Sequence, residues 1–483
     1  MESVLSVKEI REIEALTMKE GNITDIDLMK SAGEKLVEDF LYRVKPAKSD
    51  LITVVSGIGN NGGDGLVMFL KLLDLGYKPK IVIIGQIESA SSAFKYYFKQ
   101  VSKKAKVIIA TNHNEGEVNK PILASKFIID GIIGIGLSRK LSGKYLEIVE
   151  YINSLEKNVY SIDLPSGINP NNGLVFDQAI KANYTGIIGY YKYGNILNDA
   201  LDYHGKSKVL DIGLVTKHDI FVKLINYDDF SIKPQKRLHN SYKYNYGLGF
   251  FIGGSKSMPG AINLSVLASL RSGLGIGYVY QENPVPKHLE VIYKEITPDI
   301  DIKRADSIVF GPGMAKDNEI LAEVFSKINE SQIKTIVDAG GLKYLNLDNI
   351  KNKNFILTPH EKEFSDLFNI GVSEVEENPF KYINEIVKKG VTLILKGQTN
   401  VIANKKHIYL FQAKNPGLAT AGSGDVLTGI IASYLKDNST LSASIKGVLV
   451  HSLAADFARE AYGEVSMLAS DIIDNIYKVF KVR

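Results

Sequence analysis

Cysteine is absent from this 483-residue sequence, and no long apolar run occurs in it. The lack of cysteine excludes disulfides, iron–sulfur clusters, thiolate nucleophiles and cysteine-ligated zinc. The eight histidines are scattered singly, with no HExxH motif and no paired spacing. Any metal site must therefore use oxygen ligands, which suit hard cations.

Excess charge of one sign is also absent, because 58 Lys and Arg oppose 54 Asp and Glu and leave a net charge of +4. So small an excess supports neither a nucleic-acid partner nor a membrane-surface partner. The longest apolar run, over 127–137, is interrupted by Asp130 and is shorter than the roughly 20 residues of a membrane span. The amino terminus is charged and lacks the apolar core of a secretory signal. We expect a cytoplasmic protein.

Two series of short apolar segments follow each other along the chain. The first contains LITVVSG, KIVIIG, KFIID, VYSID, TGIIGYY and SKVLDIG, and the second contains LGFFIGG, IGYVYQ, SIVFGPG, KTIVDAG, NFILTPH and VTLILKG. Such segments, separated by helix-length stretches, are typical of parallel sheets with helices on both faces. A polar stretch, INYDDFSIKPQKRLHNSYKYNYG, separates the series. We therefore predict two three-layer α/β/α domains, over residues 1–225 and 226–483.

The turn after the first buried strand fits GxGxxG over residues 57–62, and a helix is predicted over about 64–75. This pattern is typical of dinucleotide sites, where glycines let backbone N–H groups approach an anion. However, the next strand, KIVIIG, does not end in the acid that would bind a ribose. Asn60, Asn61 and Asp64 also add polar side chains that a pyrophosphate turn does not require.

Polar residues follow three strands of the first series: Asn61, Asp130, and the pair Asp163 and Ser166. In an open parallel sheet, ligands bind beyond the carboxyl ends of the strands, so these side chains should converge on one crevice. Their oxygens suit a hard cation. The alternative is that each residue only caps a turn or a helix.

The segments LMKSAG, GIGNNGGDG, DGIIGIGL, DLPSG and DIGL resemble the YjeF N-terminal domain, the NAD(P)H-hydrate epimerase family, over about residues 1–215. The resemblance implies a Rossmann-like domain with a potassium ion held by Asn61, Asp130 and Ser166. It also implies that Asp163 acts as the acid and base of epimerisation. The implied contacts with the hydrated dinucleotide are Asn60, Asn61, Gly62, Gly63, Asp64, Gly134, Ile135, Gly136, Leu137, Ser138, Arg139, Lys140 and Asp163.

In the second half, no P-loop motif GxxxxGK[ST] occurs, and the sequence AGSGD over 421–425 stands where a loop meets a predicted helix. Free N–H groups and the helix dipole make such a turn an anion site. Asp425 could take a proton from a hydroxyl that attacks a phosphate there. Alternatively, Asp425 is an ordinary acid in the first helical turn, where the dipole favours it.

Further polar residues and glycine turns fall at strand ends of the second series: Gly253, Gly254, Gly311, Gly313, Asp338, His360, Glu363, Lys396 and Thr399. His360, between a proline and an acidic helix start, is a candidate ligand contact. His451 lies in a helical apolar pattern and is expected to be structural.

Together with NPGLATAGSGDVLTG, these motifs resemble the YjeF C-terminal domain, the NAD(P)H-hydrate dehydratase family, over about residues 230–483. The resemblance implies a ribokinase-like fold in which Ala261, Gly313, His360 and Asp425 contact the hydrated dinucleotide. It further implies that Lys396, Gly397, Gln398, Thr399, Asn400 and Gly424 hold the adenine nucleotide. Two segments depart from the family pattern: DADGL reads DAGGL over 338–342, and HxGE reads HEKE over 360–363. The second places Lys362 at a usual glycine, which brings the local loop geometry into question.

The two resemblances imply a bifunctional repair enzyme for the substrates NADHX and NADPHX. Its first domain would interconvert the R and S epimers, and its second would dehydrate the S form while ADP becomes AMP and phosphate. The implied cofactors are K⁺, Mg²⁺ and the co-substrate ADP, and we expect a homo-oligomer. The alternative is a ribokinase-like small-molecule kinase fused to a non-catalytic dinucleotide-binding or scaffold domain.

Overall fold

The computed structural model describes residues 1–215, 221–315 and 318–482. The chain forms two compact units, Glu2–Lys223 and Leu224–Arg483. Within the described residues, no helix has both the length and the apolar character needed to cross a bilayer.

The first unit is built on a seven-stranded parallel sheet. The strands of this unit, inside and outside that sheet, are β1 (Glu2–Leu5), β2 (Ile52–Ser56), β3 (Lys80–Ile84), β4 (Ile108–Ala110), β5 (Phe127–Gly131), β6 (Asn158–Ile162), β7 (Tyr184–Ile188), β8 (Tyr191–Lys192) and β9 (Lys206–Leu210). Its helices are α1 (Val7–Gly21), α2 (Asp25–Val44), α3 (Asn60–Asp74), α4 (Ser92–Lys104), α5 (Glu115–Ala124), α6 (Lys144–Ser154) and α7 (Ala200–Tyr203). The sheet order is β4-β3-β2-β5-β6-β7-β9, and β1 pairs with β8 outside it.

Both faces of this sheet are covered, which gives three layers. Phe40 of α2, Phe69 of α3 and Phe94 of α4 belong to a buried cluster on one face. Ile122 of α5 and Ile148 of α6 belong to a second cluster on the other face. Strands buried on both sides explain why the segments in the sequence are almost continuously apolar.

Helix α3 begins at Asn60, four residues before the predicted start. The polar turn after β2 is therefore itself the first turn of the helix. Its glycines are needed for close packing: a Cβ on Gly62 would lie 1.8 Å from the Gly57 carbonyl oxygen, and one on Gly57 would lie 2.1 Å from that of Ile132. The low helix propensity of glycine is overridden by this packing.

The second unit contains the larger set of helices. After β10 (Val222–Leu224), its strands are β11 (Leu248–Ile252), β12 (Ile276–Gln281), β13 (Ile292–Glu295), β14 (Ser307–Phe310), β15 (Thr335–Val337), β16 (Phe355–Leu357), β17 (Thr392–Leu395), β18 (Thr399–Ala403) and β19 (Ile408–Gln412). Its helices are α8 (Pro259–Arg271), α9 (Glu319–Glu330), α10 (Glu361–Phe368), α11 (Val372–Glu377), α12 (Pro379–Lys388), α13 (Ser423–Tyr434), α14 (Thr440–Tyr462) and α15 (Ala469–Val482).

Its sheet runs β13-β12-β11-β14-β15-β16-β17-β18-β19, in which the β17–β18 and β18–β19 pairs are antiparallel and the other pairs are parallel. The β18–β19 hairpin was not predicted from the sequence. Residues of α8, α13, α14 and α15 pack in one cluster with Phe251 and Val309 of the sheet. In α9, the Phe325 ring lies 5.2 Å from that of Phe310, a strand residue outside that cluster. The predicted fold class, two α/β/α domains, is confirmed.

Candidate functional site

A cavity of about 510 Å³ opens at the carboxyl ends of the strands in the first unit. Of the residues that the resemblance implied, Asn60, Asn61, Asp64, Gly134, Ile135, Gly136 and Asp163 line it. Gly62 and Gly63 are packed inside the first turn of α3, and Leu137 belongs to a core cluster. Ser138, Arg139 and Lys140 are exposed and do not line the cavity. Helix α2 supplies a further wall through Leu28, Met29 and Ala32 of the LMKSAG segment, and helix α1 supplies another, which the sequence did not indicate.

Asp163 lies at the end of β6 with φ +64°, in the left-handed region that non-glycine residues seldom adopt. Its Oδ1 accepts a hydrogen bond from the Ile188 N–H at 2.9 Å and forms an ion pair with Lys192. The Lys192 side chain is 1% exposed, and its Nζ also donates to the Ile188 carbonyl at 2.7 Å. The strained backbone and the buried cation together fix the carboxylate at the cavity wall. Lys192 was missed in the sequence because it lies 29 residues from its partner.

Two further acids line the same cavity. Burial, together with the negative charges of Asp163 and Glu14, raises the pKa of Asp64 well above its ordinary value. Burial also raises the pKa of Glu14, a residue of α1, against the opposing effect of the positive charge of Lys192. The cavity therefore holds an ion pair and two acids whose pKa values are raised by burial.

Asp130, at the end of β5, is completely buried. Its Oδ1 accepts from the Ser166 hydroxyl at 2.6 Å and the Ile132 N–H at 3.2 Å. Its Oδ2 accepts from the Ser161 hydroxyl at 2.8 Å and the Ser166 N–H at 3.0 Å. Burial raises the pKa of this carboxyl even though the hydrogen bonds lower it. No cationic side chain in the described parts of the chain forms an ion pair with it.

The other two predicted potassium ligands are adjacent to the same loop. The Ser166 hydroxyl lies 3.1 Å from the Ile133 carbonyl oxygen, and a Cβ on Gly134 would lie 2.7 Å from the Asn61 Oδ1. The Asn61 amide nitrogen is buried and has no partner in the described chain. Oxygens from a carboxylate, a hydroxyl, an amide and a carbonyl thus lie at the loop after β5. Their single negative charge fits a monovalent cation.

In the second unit, Asp425 lies in the first turn of α13, after Gly422 with φ +90°. Burial and the negative charge of Asp338 raise the pKa of Asp425 to about 7, although Lys396 lowers it. The Ser265 hydroxyl of α8 donates to the Asp425 carbonyl at 2.8 Å, which joins the two helices. Asp425 is therefore poised to exchange a proton near neutral pH.

Two glycine loops meet beside α8. The Gly254 N–H donates to the Pro312 carbonyl at 2.8 Å. Gly313 has φ +72°, and a Cβ there would lie 2.4 Å from the Met258 carbonyl oxygen and 3.1 Å from the Ala261 Cβ. The fold thus brings the predicted contacts Ala261 and Gly313 together.

Lys396, at the end of β17, donates from Nζ to Asp338 Oδ1 at 2.8 Å. The Thr358 hydroxyl donates to the same oxygen at 2.8 Å. A Cβ on Gly424 would lie 3.3 Å from Lys396 Nζ, so the ammonium is next to the start of α13. Asp338, a strand-end acid to which the sequence gave no role, links this cluster to Asp425.

The remaining predicted nucleotide contacts follow Lys396 directly. Gly397 and Gln398 are exposed in the turn between β17 and β18, and Thr399 and Asn400 begin β18.

His360 is 53% exposed and caps α10: its Nδ1 accepts from the Glu363 N–H at 3.3 Å, and its own N–H donates to Glu363 Oε2 at 2.9 Å. Lys362 lies in the first turn of this helix, a conformation open to any residue, so the missing glycine causes no distortion. His451 is buried, as expected, and its Nε2 lies 3.3 Å from the Ser423 hydroxyl. Burial lowers the pKa of His451 to about 4.

Comparisons with known proteins cover both units. The family model described as YjeF-related protein N-terminus matches residues 25–194, and the model described as NAD(P)H-hydrate dehydratase matches residues 250–478. A bifunctional NAD(P)H-hydrate repair enzyme Nnr from Coxiella burnetii is 32% identical over 97% of both chains. One from Dictyoglomus turgidum is 30% identical over 97% of this chain and 96% of that one.

Among solved structures, an ADP/ATP-dependent NAD(P)H-hydrate dehydratase from Bacillus subtilis, co-crystallized with ATP and Mg²⁺, is similar to part of the chain. It is 27% identical with a TM-score of 0.47, covering 51% of this chain and 93% of that one. Because the similarity to the curated relatives extends over nearly the whole sequence, the chain belongs to the family of bifunctional NAD(P)H-hydrate repair enzymes.

Proposed function

We propose that the chain repairs hydrated nicotinamide dinucleotides with two activities. Residues 1–225 epimerise R- and S-NAD(P)HX, and residues 226–483 dehydrate the S form while ADP becomes AMP and phosphate. The observation that carries this proposal is Asp425, a base with a pKa of about 7 at a helix N-terminus beside Lys396. The first unit adds a separate cavity with its own carboxylate, Asp163.

In the epimerase site, Asp163 acts as the acid and base that exchanges a proton with the hydroxyl of the hydrate. Its carboxylate lies on the cavity wall and is fixed there by Lys192 and by the Ile188 N–H. The turn over 60–64, the loop over 134–140 and Asp163 form the proposed substrate site. Of these, Ser138, Arg139 and Lys140 contact the parts of the dinucleotide that extend out of the cavity.

Potassium fits the cluster around Asp130, with Asn61 Oδ1, the Asp130 carboxylate and the Ser166 hydroxyl as its ligands. The ion supplies one positive charge that balances a buried carboxylate. Asp130 and Ser166 then hold the loop after β5 against the cavity, because the Ile133 N–H donates to the Ser166 hydroxyl at 2.9 Å.

In the dehydratase site, Asp425 takes the proton of the hydrate hydroxyl, whose oxygen attacks the terminal phosphoryl group of ADP. The phosphorus–oxygen bond to AMP breaks as the new one forms. Lys396 and the free N–H groups of α13 stabilise the negative charge of the transferred group. The ring then loses a proton from the neighbouring carbon, and the carbon–oxygen bond breaks to release phosphate and NAD(P)H. Ala261, Gly313 and His360 contact the hydrate, and residues 396–400 with Gly424 hold the nucleotide.

Magnesium in this site would accompany the nucleotide phosphates, whose charge it neutralises. Within residues 1–215, 221–315 and 318–482, no group of three or more His, Cys, Asp or Glu side chains could hold a metal ion. This donor set fits an ion that is bound mainly by the phosphates of its nucleotide. The expected cytoplasmic location and homo-oligomeric state stay predictions.

The proposal is tested by incubating the purified chain with mixed NADHX epimers and either ADP or ATP. We expect the absorbance of reduced nicotinamide to return, with ADP as the better co-substrate. A small-molecule kinase would instead accumulate a stable phosphorylated product. No recovery with either nucleotide would contradict the proposal.

A further inference from the structure

One wall of the first cavity is formed by helix α1, to which no motif assigned a role. Arg11, Glu14 and Met18 of this helix line the cavity. Their spacing of three and four residues places them on one stripe of the helix. The adjacent stripe is buried and consists of Ile10, Ile13 and Thr17. Glu14 therefore stands at the edge of the core and faces the cavity.

The Glu14 carboxylate has neither a hydrogen-bond partner nor an ion-pair partner in the part of the chain that the structure describes. A carboxylate that is partly removed from water without a partner costs free energy. The chain nevertheless keeps one in a cavity that it shares with Asp163, Lys192 and Asp64. Burial raises the pKa of Glu14. Such a group suits a bound ligand that exchanges protons with it.

Epimerisation of the hydrate requires chemistry on both faces of one ring carbon. That carbon carries the hydroxyl and is bonded to the ring nitrogen. When an acid protonates the hydroxyl, the carbon–oxygen bond breaks, water leaves with the electron pair, and the nitrogen lone pair forms a carbon–nitrogen double bond. A water molecule then adds to the other face, the double-bond pair returns to nitrogen, and a base takes the extra proton. Acid and base must therefore stand on opposite faces of the ring.

We propose that Glu14 is the second acid–base group of the epimerase site and acts on the face opposite to Asp163. The inference rests on the proposed epimerase function. The two residues come from different elements, α1 and the end of β6, and line one cavity of about 510 Å³. In one direction, Glu14 gives its proton to the departing hydroxyl and Asp163 takes a proton from the entering water. Glu14 is then without its proton and Asp163 carries one, which are the states that the reverse direction requires.

The test compares the full-length wild type with Glu14→Gln, Glu14→Asp and the control Glu20→Gln, which changes an exposed residue of the same helix. Separated S-NADHX is incubated without ADP in ¹⁸O-labelled water, and formation of the R epimer and its ¹⁸O content are measured. We expect one ¹⁸O per inversion in the wild type. Glu14→Gln should lower the catalysed rate by about 100-fold or more, which is the usual scale for losing an acid–base group. Glu14→Asp should recover part of the rate, and Glu20→Gln should behave as wild type.

The outcomes separate this inference from the proposed function. A wild type that does not epimerise at all contradicts the epimerase function itself. A wild type that epimerises while Glu14→Gln stays within about threefold of it overturns only the role of Glu14. Inversion without ¹⁸O uptake also overturns it, since the hydroxyl would not have left. Because the carboxylate has no partner, Glu14→Gln should not lower the thermal midpoint. If Glu14→Gln and Glu14→Asp lower the thermal midpoint by the same amount, the residue is structural and the proposal is wrong.

Discussion

Lys396 Nζ donates a hydrogen bond to Asp338 Oδ1 at 2.8 Å. The same ammonium lies beside Gly424, which is a residue of the first turn of α13. The Asp338 side chain is only 2% exposed, so this ion pair is fixed by the core. Burial and the negative charges of Asp338 and Glu363 outweigh the positive charge of Lys396, and the pKa of Asp425 rises to about 7. The geometry thus holds the positive charge of Lys396 beside the start of α13 while the pKa of Asp425 stays near 7.

Replacing the base should separate the two activities. Asp425→Asn keeps the shape of the side chain but removes the carboxylate that takes the hydroxyl proton. We expect dehydration of S-NADHX with ADP to fall by about 1,000-fold or more, within the range for a general base. Epimerisation, measured as R formation from S without nucleotide, should stay at the wild-type rate. Loss of both activities would contradict the separate roles.

Removing the charge of Asp338 should move the pH profile of dehydration. The base must be ionised, so activity rises with pH through the pKa of Asp425, which is about 7. Because the negative charge of Asp338 raises this pKa, Asp338→Asn should shift the acidic limb of kcat/KM to lower pH. Thr358→Val is the control, since it removes a hydrogen bond to Asp338 but leaves both charges. A limb that stays in place or moves to higher pH in Asp338→Asn would contradict the electrostatic account.

Breaking the buried ion pair of the first unit should destabilise it. Lys192→Met leaves Asp163 buried without its cation, which costs about 3–5 kcal/mol for such pairs. The double variant Lys192→Met with Asp163→Leu should recover most of this loss. Urea unfolding followed by tyrosine fluorescence gives the free energy of unfolding for each variant. If the single and double variants lose the same free energy of unfolding, the charges of the pair contribute nothing to stability.

Potassium should stabilise the wild type. Binding to the folded chain alone raises the thermal midpoint, so exchanging Na⁺ for K⁺ at constant ionic strength should raise it. Ser166→Ala should abolish this difference, because it removes a proposed ligand. Ser161→Ala is the matched control: its hydroxyl also donates to Asp130, at 2.8 Å, but it is not a proposed ligand. A K⁺ effect that survives in Ser166→Ala would argue against this ligand set.

Local patterns in the sequence predicted most of the fold. The apolar segments and the glycine turns after them are continuous in the chain, so the strands, Asp130 at a strand end and Asp425 at a helix start could be identified directly. The start of α3 was placed too late because its first turn consists of polar and glycine residues that only tertiary packing makes helical. Lys192 and Glu14 gave no signal because their meeting with Asp163 depends on which elements surround the cavity. The role of Asp338 likewise follows from a lysine 58 residues away.

The most direct test of the central claim begins with the pure R epimer of NADHX and ADP. NADH can form from it faster than the uncatalysed epimerisation allows only if the chain epimerises the hydrate and then dehydrates it. We predict full conversion, with one AMP and one phosphate for each NADH, while Asp163→Asn acts on the S epimer alone. NADH formed only at the uncatalysed rate of epimerisation, or a phosphorylated dinucleotide that accumulates, would contradict the account.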